Sequence, residues 1–147
     1  MSMEELFELR SHIEQRHYAQ ALVLIGEMEE MSKDDKINRI HSYSIIALMH
    51  LIKQHAEKRS THSWETSICN SVEKIGMTNK RRKTGGFYLK EDELKEILAK
   101  GFKAALRNAS LEAFEGHYDV RKLARMVDEE KIRKEALQLI LEEQANI

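Results

Sequence analysis

The sequence predicts an all-α fold: one domain, residues 1–147, bundling six or seven helices built from antiparallel helical hairpins. Proline is absent, although average usage of about 5% would supply several. Proline marks turns and breaks helix interiors, so its absence suits a chain that is nearly all helix. Alternating β-branched runs, the mark of strands, are also missing. "GGFYL", residues 85–89, comes nearest and is too short to build a sheet. Apolar residues instead recur at intervals of three and four along most of the chain.

That spacing orders the elements. Met3, Leu6, Phe7, Leu9 and Ile13 define a first helix ending near "QRH". A second starts around Tyr18, carries Leu22, Ile25, Met28 and Met31 on one face, and stops near "MSKDD". The third is long and keeps a 3.6-residue period from Ile37 through Ile40, Ala47, Leu48, Leu51 and Ile52 to Lys58. In "STHSW", Thr61 or Ser63 suits the N-cap of a fourth helix striped by Trp64, Ile68, Val72 and Ile75. Residues 76–93, with paired glycines and a basic run, read as a loop.

Leu94, Ile97, Leu98, Phe102, Ala105, Leu106 and Ala109 place a fifth helix that runs to about Phe114. "EGH" makes a corner, a short helix covers about 119–127, and "DEEKIRKEALQLILEE" closes the chain as a helix. Asp128, Glu129 and Glu130 lie at its positive N-terminal end, as the macrodipole favours. The central hairpin is expected at the third and fourth helices. Its core is Leu48, Leu51, Trp64, Ile68, Val72, Leu98, Phe102 and Ala105.

Charge narrows the function classes. Asp and Glu total 25 against 24 Lys and Arg, so net charge gives no reason to expect nucleic acid as partner. The single Cys69 excludes an intrachain disulfide and every multi-cysteine zinc pattern. No apolar run approaches the roughly 18 residues of a membrane span, and "MSMEELFELR" carries acids where a signal peptide needs bases. A cytoplasmic protein with no membrane partner is the expectation.

Seven histidines invite a metal site. The neighbouring pairs His12/His17 and His50/His55 are five residues apart, which on a helix turns the side chains about 140° away from each other. No metal and no cofactor are therefore predicted. Cys69 is expected as a small buried thiol. No nucleophile elbow or phosphate-binding glycine loop is present.

Three local features carry candidate chemistry. "RSHIEQRH" sets Arg10 and His17 in a spacing that resembles the R-x(4–6)-H motif of the HEPN superfamily of helical ribonucleases. That resemblance implies an arginine that stabilises charge on a scissile phosphate and a histidine that shuttles a proton. The bland reading pairs Arg10 with Glu14 at i,i+4. The basic run "NKRRK", with Lys80, Arg81, Arg82 and Lys83, lies near Phe87 and Tyr88 and has the composition of a phosphate-gripping loop. Such a run is more usually a solvated connector, and Glu91, Asp92 and Glu93 follow to weaken its positive field. "HLIKQHAEKRSTHSW", residues 50–64, gathers His50, Lys53, His55 and Arg59 at a helix corner beside Trp64, the chain's one tryptophan.

This corner also carries a family resemblance. His50, Leu51, Ile52, Lys53, Arg59, Ser63, Trp64 and Ile68 resemble the characteristic run of the family known as domain of unknown function 29. Phe102, Ala105, Ala109 and Glu112 are similar to its later helix. The resemblance covers residues 5–115, leaving 116–147 as a C-terminal helical extension. It implies a compact all-helical domain and brings no catalytic set or cofactor. The function expected is that of a non-enzymatic cytoplasmic interaction or regulatory protein, antitoxin-like, whose partner is another protein or itself as a homodimer. The alternative is a nuclease or nucleic-acid-binding protein using loop 79–83 and the His/Arg cluster at 50–64.

Overall fold

The computed structural model describes residues 3–81 and 84–147. They form an all-α fold of six α-helices and one 3₁₀ turn: α1 (Met3–Glu14), α2 (Tyr18–Glu57), α3 (His62–Asn79), α4 (Glu91–Glu112), η1 (Ala113–Gly116), α5 (Val120–Met126) and α6 (Glu129–Ala145). Among the described residues there is no strand. An isolated bridge joins Lys80 to Phe87.

The expected break at "MSKDD" is not there. α2 runs unbroken for 40 residues, about 60 Å at the rise of an α-helix. Lys33 is a good helix former, no proline intervenes, and Ser32, Asp34 and Asp35 are poorer helix formers only by tenths of a kcal/mol each. They lower the local propensity without ending the helix.

The chain groups into two compact units, Met1–Ile37 and Asn38–Ile147. In the N-terminal unit α1 ends at Glu14, and Arg16 turns the chain with a left-handed φ of 63°. α1 buries none of its residues. The start of α2 buries Ala21, Leu24 and Met28, while Leu22 and Met31, expected on the buried stripe with Met28, face solvent. The packed face is thus rotated from the one the i,i+3 spacing suggested.

The second unit holds the larger core. α4 buries Leu94, Ile97, Leu98, Phe102, Ala105, Leu106 and Ala109, the full expected face, against α6 residues such as Ile132, Ala136 and Ile140. Gly101 is the one gap in that face, and a Cβ there would meet Ile45 at 3.3 Å. Leu48, Leu51, Ile68 and Val72 are buried as expected. Trp64 is only half-buried and Cys69 is exposed, so neither is the core residue anticipated. Cys69 lies off the stripe of Ile68, Val72 and Ile75 that takes the packing, whereas Trp64 shares that stripe but stands in the first turn of α3, where it is only partly covered.

α3 starts where Thr61 Oγ1 accepts from the Trp64 N–H at 3.1 Å, so Thr61 and not Ser63 is the cap. It continues past Gly76 to Asn79, so the expected loop begins four residues late. The chain then doubles back through Gly85 and Gly86, both at φ +74°, a conformation that costs glycine nothing. Buried Asn79 clamps this reversal. Its amide donates to Leu89 O and to Gln144 Oε1, and its oxygen accepts from Leu89 N–H. Asp119 and Asp128 cap α5 and α6 through their side chains.

Candidate functional site

The corner between α2 and α3 is where the chemistry-bearing residues converge. His50 and Lys53 sit one turn apart on the last turns of α2 and are buried, Lys53 to 2% exposure. Lys58 takes a left-handed φ of 54° just past the helix end. That reverses the chain and brings Arg59 back against Trp64. The Lys53 ammonium and the Arg59 guanidinium each lie 4.8 Å from the centre of the indole ring, within cation–π range.

Carboxylates complete the cluster. Glu112, at the end of α4, holds Lys53 Nζ at 3.4 Å. Glu57 Oε1 accepts from Arg59 Nε at 3.0 Å, and its Oε2 accepts from the Phe114 N–H at 3.2 Å. His50 has no protein partner at Nδ1. Burial lowers its pKa below the usual 6.5, the Lys53 charge lowers it further, and Glu112 opposes them. The imidazole is held neutral beside a buried ammonium.

Beyond Glu112 the backbone is strained. Phe114 and Glu115 hold φ at 51° and 58°, followed by Gly116 at 78°. Two non-glycine residues in this region cost roughly 1–2 kcal/mol each, and such outliers often gather at binding sites. The turn aims Phe114 at Tyr118, edge to face at 4.8 Å. A cleft of about 430 Å³ opens here, lined by Glu57, Arg59, Trp64, Glu112, Phe114 and Tyr118 among others. Part of the charge at this corner is committed: both Glu57 oxygens accept bonds, and Lys53 and Arg59 are held over one ring. Exposed Glu115 and His117 also line the cleft.

A match over most of the chain, the corner included, decides the family. The family described as domain of unknown function DUF29 matches residues 10–130. The chain belongs to DUF29. Its match reaches past residue 115, the limit expected from the resemblance, through α5 and into the start of α6. No curated protein and no solved structure matches the chain. In DUF29 terms the cleft residues Arg59, Trp64 and Glu112 all fall inside the matched span.

The other candidates lie apart. His55 bonds Glu135 at 2.6 Å on α6 and does not join the cleft. Arg10 is three-quarters exposed and pairs with Glu14 at 2.7 Å, one turn away on the same helix. His17 stands 6.1 Å from the His12 ring. α1 ends before it, so the helical angle that separated the pair does not apply. Lys80 and Arg81 are exposed, with Arg81 5.3 Å from the Tyr88 ring centre. Arg82 and Lys83 lie outside the described residues. Among the described residues, no three His, Cys, Asp or Glu side chains converge as metal ligands would, and no helix is long and apolar enough to cross a membrane.

Sequence reasoning missed Glu57, Phe114, Tyr118 and Glu135. Glu57 meets Phe114, and Glu135 meets His55, across more than 50 residues of chain, while Tyr118 joins the cleft against Phe114. Glu112 entered only through the family resemblance.

Proposed function

We propose that this DUF29 chain is a non-enzymatic interaction protein of the cytoplasm that binds another protein through its N-terminal unit. One observation carries the reading: α1 buries nothing, and large apolar side chains crowd the same unit in exposed positions. Phe7 is 60% exposed, Leu22 68% and Val23 63%. Scattered exposed apolar residues are ordinary, but a group this dense marks a surface that a partner covers. The mutual fixing of Glu57, Arg59, Lys53 and Trp64 supports the same reading, since those groups hold the corner together as a scaffold would.

A photo-crosslinking amino acid placed at Leu22, with exposed Thr66 as control, tests it in cells. Discrete adducts with another protein from position 22 but not from position 66 are expected. No adduct, or equal adducts from both positions, sinks the reading.

Nucleic-acid binding by the 79–83 loop is the second reading, favoured by the stacking of Arg81 on Tyr88 beside exposed Lys80. It requires a mobility shift of single-stranded RNA at low salt that Arg81→Ala weakens. No shift under those conditions removes it.

A further inference from the structure

We propose that the N-terminal unit is a docking groove for a basic amphipathic helix of a partner protein, an inference that rests on the interaction reading above. The groove, about 350 Å³, is lined by apolar Ala19, Val23 and Leu24, by the carboxylates of Glu8 and Glu27, and by His12. All come from α1 and the first turns of α2. Phe7 and Leu22 are further exposed apolar residues of the same two helices, outside the lining of the groove.

Size argues that something covers it. The unit spans 37 residues and, among the described residues, buries only the apolar side chains of Ala21, Leu24 and Met28. Units below about 40 residues usually need outside support for their core. A helix is the matching element for a groove on a helical pair, because it presents apolar anchors at i, i+3, i+4 and i+7.

Charge selects the occupant. Residues 1–37 carry nine Asp and Glu against four Lys and Arg, while the whole chain is nearly balanced at −1. The acidity is therefore concentrated in this unit. A second copy would set acidic surface against acidic surface, which costs association energy. A helix with Lys or Arg flanking its apolar stripe would place cations near Glu8 and Glu27 while burying leucines on Val23 and Leu24. Apolar burial then supplies affinity, and the carboxylates supply orientation and rate.

The test uses the full chain and three synthetic 18-residue peptides in fluorescence anisotropy. One is a Leu/Lys amphipathic helix, one a Leu/Glu helix of the same pattern, and one the Leu/Lys composition scrambled out of helical register. The first should bind at least about tenfold tighter than either other, and more weakly as salt rises. The double variant E8K/E27K should lose at least about tenfold in affinity with its circular dichroism and Tm intact. Should that variant lose its melting transition, E8Q/E27Q carries the same test, with a loss of at least about threefold. Equal binding of the scrambled peptide, or unchanged affinity in the variant, overturns the inference. So does a dimer in sedimentation that Val23→Glu dissociates, because a second copy would then fill the groove. Crosslinks from position 22 to another protein would survive a failure of the peptide arms, which separates the basic-helix inference from the interaction reading itself.

Discussion

The Lys53 ammonium lies 3.4 Å from Glu112 Oε1, and the two residues differ sharply in exposure. The lysine side chain is 2% exposed and the glutamate 53%. The pair ties the end of α2 to the end of α4 across 59 residues of chain. The buried lysine head group is faced by this carboxylate and by the Trp64 ring.

That asymmetry predicts unequal costs for removing either partner. Glu112→Ala leaves a buried cation with the indole alone, and should cost about 1–3 kcal/mol of unfolding free energy. Lys53→Met leaves a half-exposed carboxylate that water can solvate, and should cost less than about 1 kcal/mol. Urea unfolding of both single variants and the double variant gives the coupling. A Lys53→Met loss larger than that of Glu112→Ala would contradict this account.

His50 gives the corner a pH dependence. Its folded pKa lies below 6.5, chiefly because it is buried. The unfolded chain therefore binds its proton first as the medium acidifies. The stabilisation is fully present above pH 6.5 and declines as pH falls through that value toward the lower folded pKa. His50→Phe removes this contribution. Thermal melts from pH 7.5 downward should show the parent chain losing Tm faster below 6.5 than the variant. Parallel Tm curves would show that His50 adds nothing to the acid limb.

Asn79 is the polar residue on which the α3–α4 reversal depends. Its amide group makes three buried hydrogen bonds, to both backbone groups of Leu89 and to Gln144 on α6. Asn79→Ala leaves those partners without replacement in a site that excludes water. The cost should be about 2–4 kcal/mol, with faster hydrogen exchange at the Leu89 amide. Asn79→Asp keeps the acceptor but loses both donors, so it should be little better. Full protection of Leu89 in either variant would show that the clamp is redundant.

These residues show what could be read from sequence and what could not. The α4 face from Leu94 to Ala109 was legible because each residue obeys one period on one helix. So was the capped start of α3, where hydroxyl residues precede an apolar stripe. Lys53 was placed correctly at the corner, but its burial was not legible. A lysine ending an apolar run usually reaches solvent, and its compensating Glu112 comes from another helix. The missed helix junction at 31–35 failed for a different reason, since weak helix formers permit a turn without requiring one. The left-handed run at 114–115 had no local signal, because neither Phe nor Glu favours that conformation.

That run supports a prediction of opposite signs at neighbouring positions. Glu115 sits at φ 58° with its side chain 93% exposed, and it approaches His117 at 3.8 Å. Exposed pairs of this kind contribute little. Glu115→Gly removes the clash of a left-handed Cβ, worth roughly 1–2 kcal/mol. It also frees the unfolded chain, which takes back up to about 1 kcal/mol. The net should be a stabilisation of roughly 0.5–1 kcal/mol. Gly116 lies at φ 78°, and a Cβ there would come within 3.1 Å of the Leu111 carbonyl oxygen. Backbone cannot yield as a flexible side chain would, so Gly116→Ala should destabilise by about 1–2 kcal/mol. Denaturant midpoints of the two variants read both signs at once. If Glu115→Gly lowers stability, the left-handed turn is held by contacts of Glu115 that outweigh its strain, and the turn is not the strained element described above.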